Sequence, residues 1–229
     1  MLWIRNGRIM DPETGLDQTG DVLLDGNQIV KIGKVEDAAD DCQIIDASGQ
    51  IVAPGLIDVH VHFRDPGFTY KEDLTTGAAA AAAGGFTTVV CMANTKPVVD
   101  SVEIYEEIAE RCKKLPIRVL QAAAVSKGFQ GKELVDMDAL YKAGVKGFTD
   151  DGLPLMNENV VRKAMEKAKE LDVPISLHEE DPAYIKQPGV NQGKVSKQLG
   201  YGGASYMAEA VMVKRDCQLA LETGASVDI

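Results

Sequence analysis

The sequence Asp58-Val59-His60-Val61-His62-Phe63-Arg64-Asp65-Pro66-Gly67 follows directly on a largely apolar run, residues 51–57. His60 and His62 are two of only three histidines in the 229 residues. Residues two apart in an extended strand project from the same face, so a His-x-His pair at a strand end can direct two imidazoles at one point. The third histidine, His178, ends another strand-like run. All three therefore lie at strand ends, which predicts a metal-centred enzyme.

Strands and helices alternate from residue 51 onward. The pattern predicts strands at 51–62, 87–92, 117–124, 145–149, 175–178 and from 225, with helices at 70–83, 101–115, 133–143, 158–171 and 205–223. Repeated units of this kind predict parallel strands, either in a barrel or in an open doubly wound sheet. No Gly-x-Gly-x-x-Gly follows an early strand, which weakens the dinucleotide-binding sheet. The metal-capable residues follow the strand ends, where barrel active sites lie, so we predict an α/β fold of the TIM-type (β/α)₈ barrel class.

Residues 1–50 have a different pattern, with short apolar or β-branched runs separated by turn signals such as Asn6-Gly7 and Asp25-Gly26. We predict two domains: residues 1–50 as part of a small β-sandwich-like unit that needs further strands, and residues 51–229 as the N-terminal portion of the barrel. Five strands and the start of a sixth cannot close an eight-stranded barrel. The sequence is therefore expected to be truncated on its C-terminal side.

Composition excludes several classes of protein. The chain has a mass of 24.6 kDa, a net charge of −11 and a pI near 4.8, whereas a nucleic-acid binder would normally carry a basic face. The N-terminus lacks the layout of a signal peptide, and no apolar stretch reaches membrane-spanning length. The four widely spaced cysteines fit free thiols in a reducing compartment. These features together predict a cytoplasmic protein without nucleic-acid or membrane partners.

Further polar residues follow the second and fourth predicted strands. Asp150 and Asp151 end the fourth strand, and only one of two adjacent carboxylates can face the histidines. A carboxylate beside three histidines could bind one divalent metal or bridge two, and mixed His and Asp ligation suits zinc best. Such a centre could activate water and polarise a substrate carbonyl. Arg64 offers a planar fork for a substrate carboxylate, and Asn94 can both donate and accept hydrogen bonds.

Each of these residues, taken alone, also has a structural explanation. A lone histidine such as His178 is usually a core or surface residue, and residues 150–152 would ordinarily form a turn. Arg64 could pair with Asp65 or Asp58, and Asn94 could cap a loop. Their coincidence at the ends of successive strands favours a shared site.

The chain resembles the amidohydrolase superfamily and, within it, the class I (bacterial-type) dihydroorotases. The resemblance covers essentially the whole chain. Its motifs are Pro54-Gly55-Leu56-Ile57-Asp58-Val59-His60-Val61-His62-Phe63-Arg64-Asp65-Pro66-Gly67, Asn94-Thr95-x-Pro97, Phe148-Thr149-Asp150-Asp151-Gly152 and His178-Glu179-Glu180-Asp181. It implies the reversible, zinc-dependent cyclisation of N-carbamoyl-L-aspartate to L-dihydroorotate, a step of pyrimidine synthesis.

By position, the resemblance assigns His60 and His62 to a first zinc and His178 to a second. Asp151 would bridge the two ions, because its distance from the third histidine along the chain (178 − 151 = 27) agrees with the family's spacing. Lys146, the one nearby lysine, lies too early to serve as the carboxylated lysine of other relatives. Substrate contacts are implied for Arg64, Asn94 and His62.

The chain also departs from the family pattern. Ala93 stands where many relatives have proline. The fourth histidine ligand, the catalytic general acid/base aspartate and the mobile substrate loop are all expected beyond Ile229. No catalytic residue is therefore expected within these 229 residues, and the chain alone is expected to be inactive.

Two other interpretations stay open. One is a different cyclic-amide hydrolase, such as an allantoinase or dihydropyrimidinase, although Arg64 and Asn94 favour a substrate that bears a carboxylate. The other is a non-catalytic dihydroorotase-like scaffold of aspartate transcarbamoylase, although the three visible metal ligands are intact. The ligand expected is a small molecule, with a homodimer and aspartate transcarbamoylase as the protein partners to consider.

Overall fold

The computed structural model describes residues 1–36 and 41–229, and the chain divides into two compact units, Met1–Leu56 and Ile57–Ile229. The first unit contains one five-stranded sheet in the order β3-β2-β1-β4, with β5 also paired to β1. Its strands are β1 (Leu2–Asp11), β2 (Leu16–Asp25), β3 (Gln28–Gly33), β4 (Gln43–Asp46) and β5 (Ile51–Val52). Strands β1, β2 and β3 form antiparallel pairs, whereas β4 and β5 run parallel to β1.

Of the two turns predicted in this unit, the structure contains the one at Asp25-Gly26 and not the one at Asn6-Gly7. Asp25-Gly26 connects β2 to β3, with Gly26 at a φ of +57°. The prediction of a turn at Asn6-Gly7 is wrong, because both residues lie inside β1. Asn6 has a φ of +60°, and the register with β2 shifts between Ile4 and Gly7, which is a β-bulge. Asn adopts the left-handed region more readily than most residues, so the same dipeptide serves a bulge as well as a turn.

The second unit consists of alternating strands and helices, as the sequence predicts. Its elements are β6 (Leu56–Val61), α1 (Leu74–Ala83), β7 (Phe86–Cys91), α2 (Val102–Cys112), β8 (Arg118–Gln121), α3 (Met137–Ala143), β9 (Phe148–Thr149), α4 (Glu158–Leu171), β10 (Ile175–Ser176), α5 (Lys194–Gln198), α6 (Met207–Thr223) and β11 (Val227–Asp228). The single strand predicted over 51–62 is wrong, because Ile51 and Val52 pair with β1 and β6 starts only at Leu56. Pro54 has no N–H to donate to a sheet, which explains the break.

The strands of the second unit follow one another in chain order. One sheet has the order β6-β7-β8 and another the order β9-β10-β11. A parallel bridge between Ala123 and Phe148 connects the two. These are the first six strands of a (β/α)₈ barrel, and their carboxyl ends share one edge. None of the helices in the described part of the chain combines the length and apolar character that a membrane crossing requires.

The sequence predicts that Asp100-Ser101 caps α2 and that Gly144 and Gly224 follow helix ends as left-handed residues. The structure matches these predictions only in part. Gly144 and Gly224 follow α3 and α6 in the left-handed conformation, with φ values of +118° and +71°, which confirms that prediction. The predicted cap of α2 is different: Ser101 occupies the N-cap position without a side-chain hydrogen bond to the helix. The Asp100 carboxylate instead accepts a hydrogen bond from the Gly128 amide at 2.8 Å. The Asp100 carboxylate is therefore bonded to a distant loop and not to the first turn of α2.

One contact in the core connects α1 to the segment that carries the first two histidines. Phe63, next to His62, is buried, and its ring packs against Gly77 of α1. A Cβ on Gly77 would collide with three carbons of this ring. Gly84, at the end of the same helix, has a φ of −81°, and a Cβ added there would meet no heavy atom closer than 3.4 Å. The two glycines therefore differ in the space around them.

Replacing Gly77 with Ala should lower the free energy of unfolding by about 1–3 kcal/mol, because the Phe63 ring has to move out of a packed position. Gly84→Ala is the matched control and should be neutral or slightly stabilising, since its backbone suits alanine. Urea unfolding of both variants measures the difference. Equal midpoints for Gly77→Ala and the unsubstituted protein would contradict the packing described for Phe63.

Candidate metal centre

His60, His62 and Asp151 form a compact group of potential metal ligands. The Nε2 atoms of His60 and His62 lie 3.3 and 3.5 Å from the two carboxylate oxygens of Asp151. Their rings meet edge to face with centroids 5.2 Å apart. One ligand atom from each residue falls within 4.8 Å of the others. The strand alternation that predicts a common face for the two histidines thus places both beside the same carboxylate.

The donor set and its spacing fit a zinc ion. Bonds of about 2.1 Å in a tetrahedron place neighbouring ligand atoms about 3.4 Å apart. The two nitrogen-to-oxygen distances in this group, 3.3 and 3.5 Å, are close to that separation. Two imidazoles and one carboxylate are also ligand types that zinc accepts. The two distances join different oxygens of Asp151, and one ligand atom of each residue lies within 4.8 Å of the others. The group could therefore bind a metal ion once its side chains move closer together.

His178 approaches the same carboxylate from β10. Its Nδ1 lies 3.7 Å from Oδ1 of Asp151, the oxygen that also faces His60, and its Nε2 lies 3.4 Å from the Glu180 carboxylate. The Asp151 side chain is 11% exposed, whereas the three imidazoles are about one-third exposed. Oδ1 of Asp151 thus faces two imidazoles and Oδ2 faces one.

A tight turn directs Asp151 toward the histidines. The Leu153 amide donates to the Asp150 carbonyl at 3.0 Å, and Gly152 between them has a φ of +89°, a conformation that favours glycine. Asp150 points the other way and accepts from the amides of Val125 and Ser126 at 2.8 and 3.0 Å. Burial raises the pKa of the Asp150 carboxyl. The two adjacent carboxylates therefore have different surroundings: Asp150 binds the segment that follows β8, and Asp151 joins the site.

Asn94 lies within the cluster rather than beside it. Its Nδ2 donates to Oδ2 and to the backbone carbonyl of Asp151, at 3.0 and 3.3 Å. Its Oδ1 lies 3.1 Å from Nδ1 of His62. The amide thus contacts two of the potential metal ligands directly, a role that the sequence pattern did not indicate.

Arg64 follows the histidine pair but does not contact it. Its φ is +58°, an uncommon value for a residue other than glycine, and its carbonyl accepts from the Phe68 amide at 2.9 Å. No described residue forms a hydrogen bond or ion pair with its guanidinium, so the pairing with Asp58 or Asp65 considered above is not observed. The guanidinium is therefore available for a ligand.

Asp65 instead fixes the loop that carries Arg64. Its buried carboxylate forms an ion pair with Arg111 of α2 and accepts from the Leu74 amide at 3.3 Å, at the start of α1. The hydrogen bond that the Arg111 guanidinium donates to Asp65 raises the pKa of this guanidinium. Arg111 belongs to no motif and lies 46 residues from its partner, so no local signal could identify it.

Backbone contacts also connect this loop to the segment that carries Asn94. The Lys96 amide donates to the Pro66 carbonyl at 3.0 Å. Gly67, at a φ of +93°, lies so close to the Lys96 backbone that a Cβ would collide with it. The loops after β6 and β7 are thus held together by backbone contacts that require glycine.

A cleft of about 720 Å³ opens beside the cluster, and His60, Asp151 and His178 line it together with Glu179. Both carboxylate oxygens of Glu179 are buried and lack a hydrogen-bond partner among the described residues. Burial, together with the nearby Asp216 carboxylate, raises the pKa of Glu179 to about 8. The sequence does not indicate that the Glu179 carboxylate is buried, because the charged residues around it belong to α6, a distant part of the chain.

Comparison with known proteins identifies related sequences along the whole chain. A family model described as "Dihydro-orotase-like" matches residues 49–229. The dihydroorotase of Clostridioides difficile (strain 630) is 62% identical over 229 residues, which is 100% of this chain and 54% of that protein. The dihydroorotase of Clostridium acetobutylicum is 52% identical over the same share of each. The chain thus spans about half the length of the curated relatives that it matches.

Solved structures show the same fold. The L-hydantoinase (dihydropyrimidinase) from Arthrobacter aurescens superposes with a TM-score of 0.79 at 19% identity, covering 99% of this chain and 51% of that one. A D-hydantoinase (dihydropyrimidinase) from a Thermus species gives a TM-score of 0.76 at 24% identity, with the same coverage. At these identities, the likeness supports the partial barrel with its N-terminal sheet and nothing finer.

Arg111→Ala should lower the free energy of unfolding by about 1–3 kcal/mol, because it leaves the buried Asp65 carboxylate without its cation. Arg162→Ala is the matched control: Arg162 forms surface ion pairs with Glu158 and Glu222, and its loss should cost less than about 1 kcal/mol.

Adding Asp65→Asn to Arg111→Ala should restore part of the loss, since the double variant no longer buries an unpaired charge. Denaturant unfolding of these variants and of Asp65→Asn alone completes the double-mutant cycle and gives the coupling free energy of the ion pair. Equal losses for Arg111→Ala and Arg162→Ala would show that the ion pair of Asp65 does not hold this loop.

Proposed function

This chain belongs to the dihydro-orotase-like family, and from that premise we propose that the protein carrying it is a zinc-dependent dihydroorotase. It would interconvert N-carbamoyl-L-aspartate and L-dihydroorotate. The observation that carries the proposal is the position of the Asp151 carboxylate, within 3.7 Å of a nitrogen of each of the chain's three histidines. A cytoplasmic location and a place in pyrimidine synthesis belong to the same proposal.

In this proposal, His60 and His62 hold one zinc ion, His178 holds a second, and Asp151 contacts both. When bound, zinc supplies Lewis acidity, which polarises a carbonyl oxygen and lowers the pKa of water. The chain's own contribution is to fix the ligands at the carboxyl ends of successive strands. The cleft next to them, lined in part by Glu179, gives the substrate access. Proton transfer to and from the ring nitrogen is not assigned to any of these residues.

Arg64 is proposed to pair with the substrate's carboxylate. L-dihydroorotate is dihydrouracil with a carboxylate added to the ring. The residue that binds this carboxylate therefore determines which of the two substrates is preferred. A guanidinium without a described partner, on a loop fixed by the Asp65 ion pair, has the charge and the planar geometry for this contact.

A hydantoinase-like hydrolase of uncharged rings is the second candidate, since solved hydantoinases share the fold. A carboxylated lysine of the kind found in many relatives has no counterpart near Asp151, because Lys146 is exposed and precedes β9. An uncharged ring would also leave the Arg64 guanidinium without a partner. Both points favour the substrate that bears a carboxylate.

The full-length protein should hydrolyse L-dihydroorotate and should lose this activity when a chelator removes its metal. Zinc added back should restore the activity, because the ligand residues are provided by the fold. A panel of L-dihydroorotate, allantoin and dihydrouracil measures the preference by kcat/KM. A higher kcat/KM for dihydrouracil would contradict the dihydroorotase assignment, and activity unchanged by chelation would contradict the metal centre.

Arg64→Met should raise KM for L-dihydroorotate by about 10- to 100-fold, the effect of losing one hydrogen-bonded charge pair. Hydrolysis of dihydrouracil, which has no carboxylate, should change much less. Arg118→Met is the matched control, since Arg118 is exposed at the amino end of β8, opposite the site. Equal effects of Arg64→Met on both substrates would rule out carboxylate recognition by Arg64.

A further inference from the structure

We propose that Asn94 is a positioning residue for the metal centre, which fixes the tautomer of His62 and the carboxylate of Asp151 at the same time. The inference deepens the proposed function and rests on its metal centre, but it does not depend on which cyclic amide is the substrate. It adds a role to the substrate contact that the sequence resemblance implies for Asn94.

The orientation of the Asn94 amide follows from its partners. Two atoms of Asp151, the backbone carbonyl and Oδ2, lie 3.3 and 3.0 Å from Nδ2 of Asn94. Both can only accept hydrogen bonds when the carboxylate is ionised, so they require the NH₂ group. A flipped amide would place its oxygen against these two oxygens. The arrangement therefore directs Oδ1 of Asn94 toward His62.

This orientation determines the protonation pattern of His62. Oδ1 of Asn94 only accepts, and Nδ1 of His62 lies 3.1 Å from it, so Nδ1 must carry the hydrogen. In a neutral imidazole, the other nitrogen then holds the lone pair. That nitrogen, Nε2, is the atom 3.5 Å from Asp151, in the group of potential ligand atoms. The amide thus leaves the metal-facing nitrogen of His62 free to bind.

The same amide joins three separate strand ends. His62 follows β6, Asn94 follows β7, and Asp151 follows β9, and the residue numbers of the two partners differ from that of Asn94 by 32 and 57. Partners of this kind orient metal-binding histidines and carboxylates in known sites, and losing one typically costs 10- to 100-fold in metal affinity. Both N–H groups and the oxygen of Asn94 are already used in these contacts.

The first test measures metal binding to the full-length protein, stripped of metal and titrated with zinc against a chromogenic chelator. Asn94→Leu keeps a similar volume without polar atoms, and Asn94→Ser is the second variant in case leucine impairs folding. We expect zinc affinity to fall about 10- to 100-fold in both, with a changed visible absorption spectrum of the cobalt-substituted protein. Arg64→Met is the matched control and should bind zinc as the unsubstituted protein does.

The second test reads the tautomer directly. In the metal-free protein with ¹⁵N-labelled histidine, the His62 ring should show the Nδ1–H form, and Asn94→Leu should shift it toward a mixture of tautomers. Comparison with a His62→Asn variant assigns the signals.

Unchanged zinc affinity and cobalt spectrum in the Asn94 variants, together with a raised KM for L-dihydroorotate, would overturn the inference and make Asn94 a substrate contact. An unsubstituted protein that binds no metal would overturn both this inference and the proposed function. Metal binding that depends on Asn94 in a protein inactive on L-dihydroorotate would support the inference while removing only the substrate assignment.

Discussion

The contact between the Asp151 carboxylate and the imidazoles of His60, His62 and His178 is the interaction on which the site depends. A buried carboxylate is costly unless it is paired or hydrogen-bonded. Asn94 donates one hydrogen bond to Asp151, and the three imidazole nitrogens, 3.3 to 3.7 Å away, could share a metal ion with it. The fold makes this meeting possible because parallel strands bring their carboxyl ends to one edge. The turn at Gly152 then directs one of two adjacent carboxylates inward, while the other binds the segment after β8 through the Val125 and Ser126 amides.

The proposed substrate contact and the proposed metal ligands lie on different parts of the same loops. Phe63 packs against Gly77 and Asp65 pairs with Arg111, so the residues on either side of Arg64 are each fixed by a separate helix. Arg64 lies between these anchors in an unfavourable left-handed conformation. Two independent attachments can hold that conformation, and they leave the guanidinium itself free of described partners.

Much of this arrangement follows from the sequence. The period of two places His60 and His62 on one face, and the alternation of strands and helices gives the barrel order. The parts that sequence missed are set by distant partners: the Arg111 ion pair spans 46 residues, and the Asn94 contacts span 32 and 57. Local sequence patterns also fail to predict the structure where one dipeptide is compatible with two backbone conformations. Asn6-Gly7 suits a bulge as well as a turn, and which one forms depends on pairing with β2.

The most direct test of the metal centre is anomalous diffraction at the zinc edge from crystals of the full-length protein. We expect an anomalous peak about 2.0–2.2 Å from Nε2 of His60, Nε2 of His62 and one Asp151 oxygen. A second ion would lie between Asp151 and His178. The absence of a peak in zinc-containing crystals, or a peak that none of these residues contacts, would contradict the proposed centre.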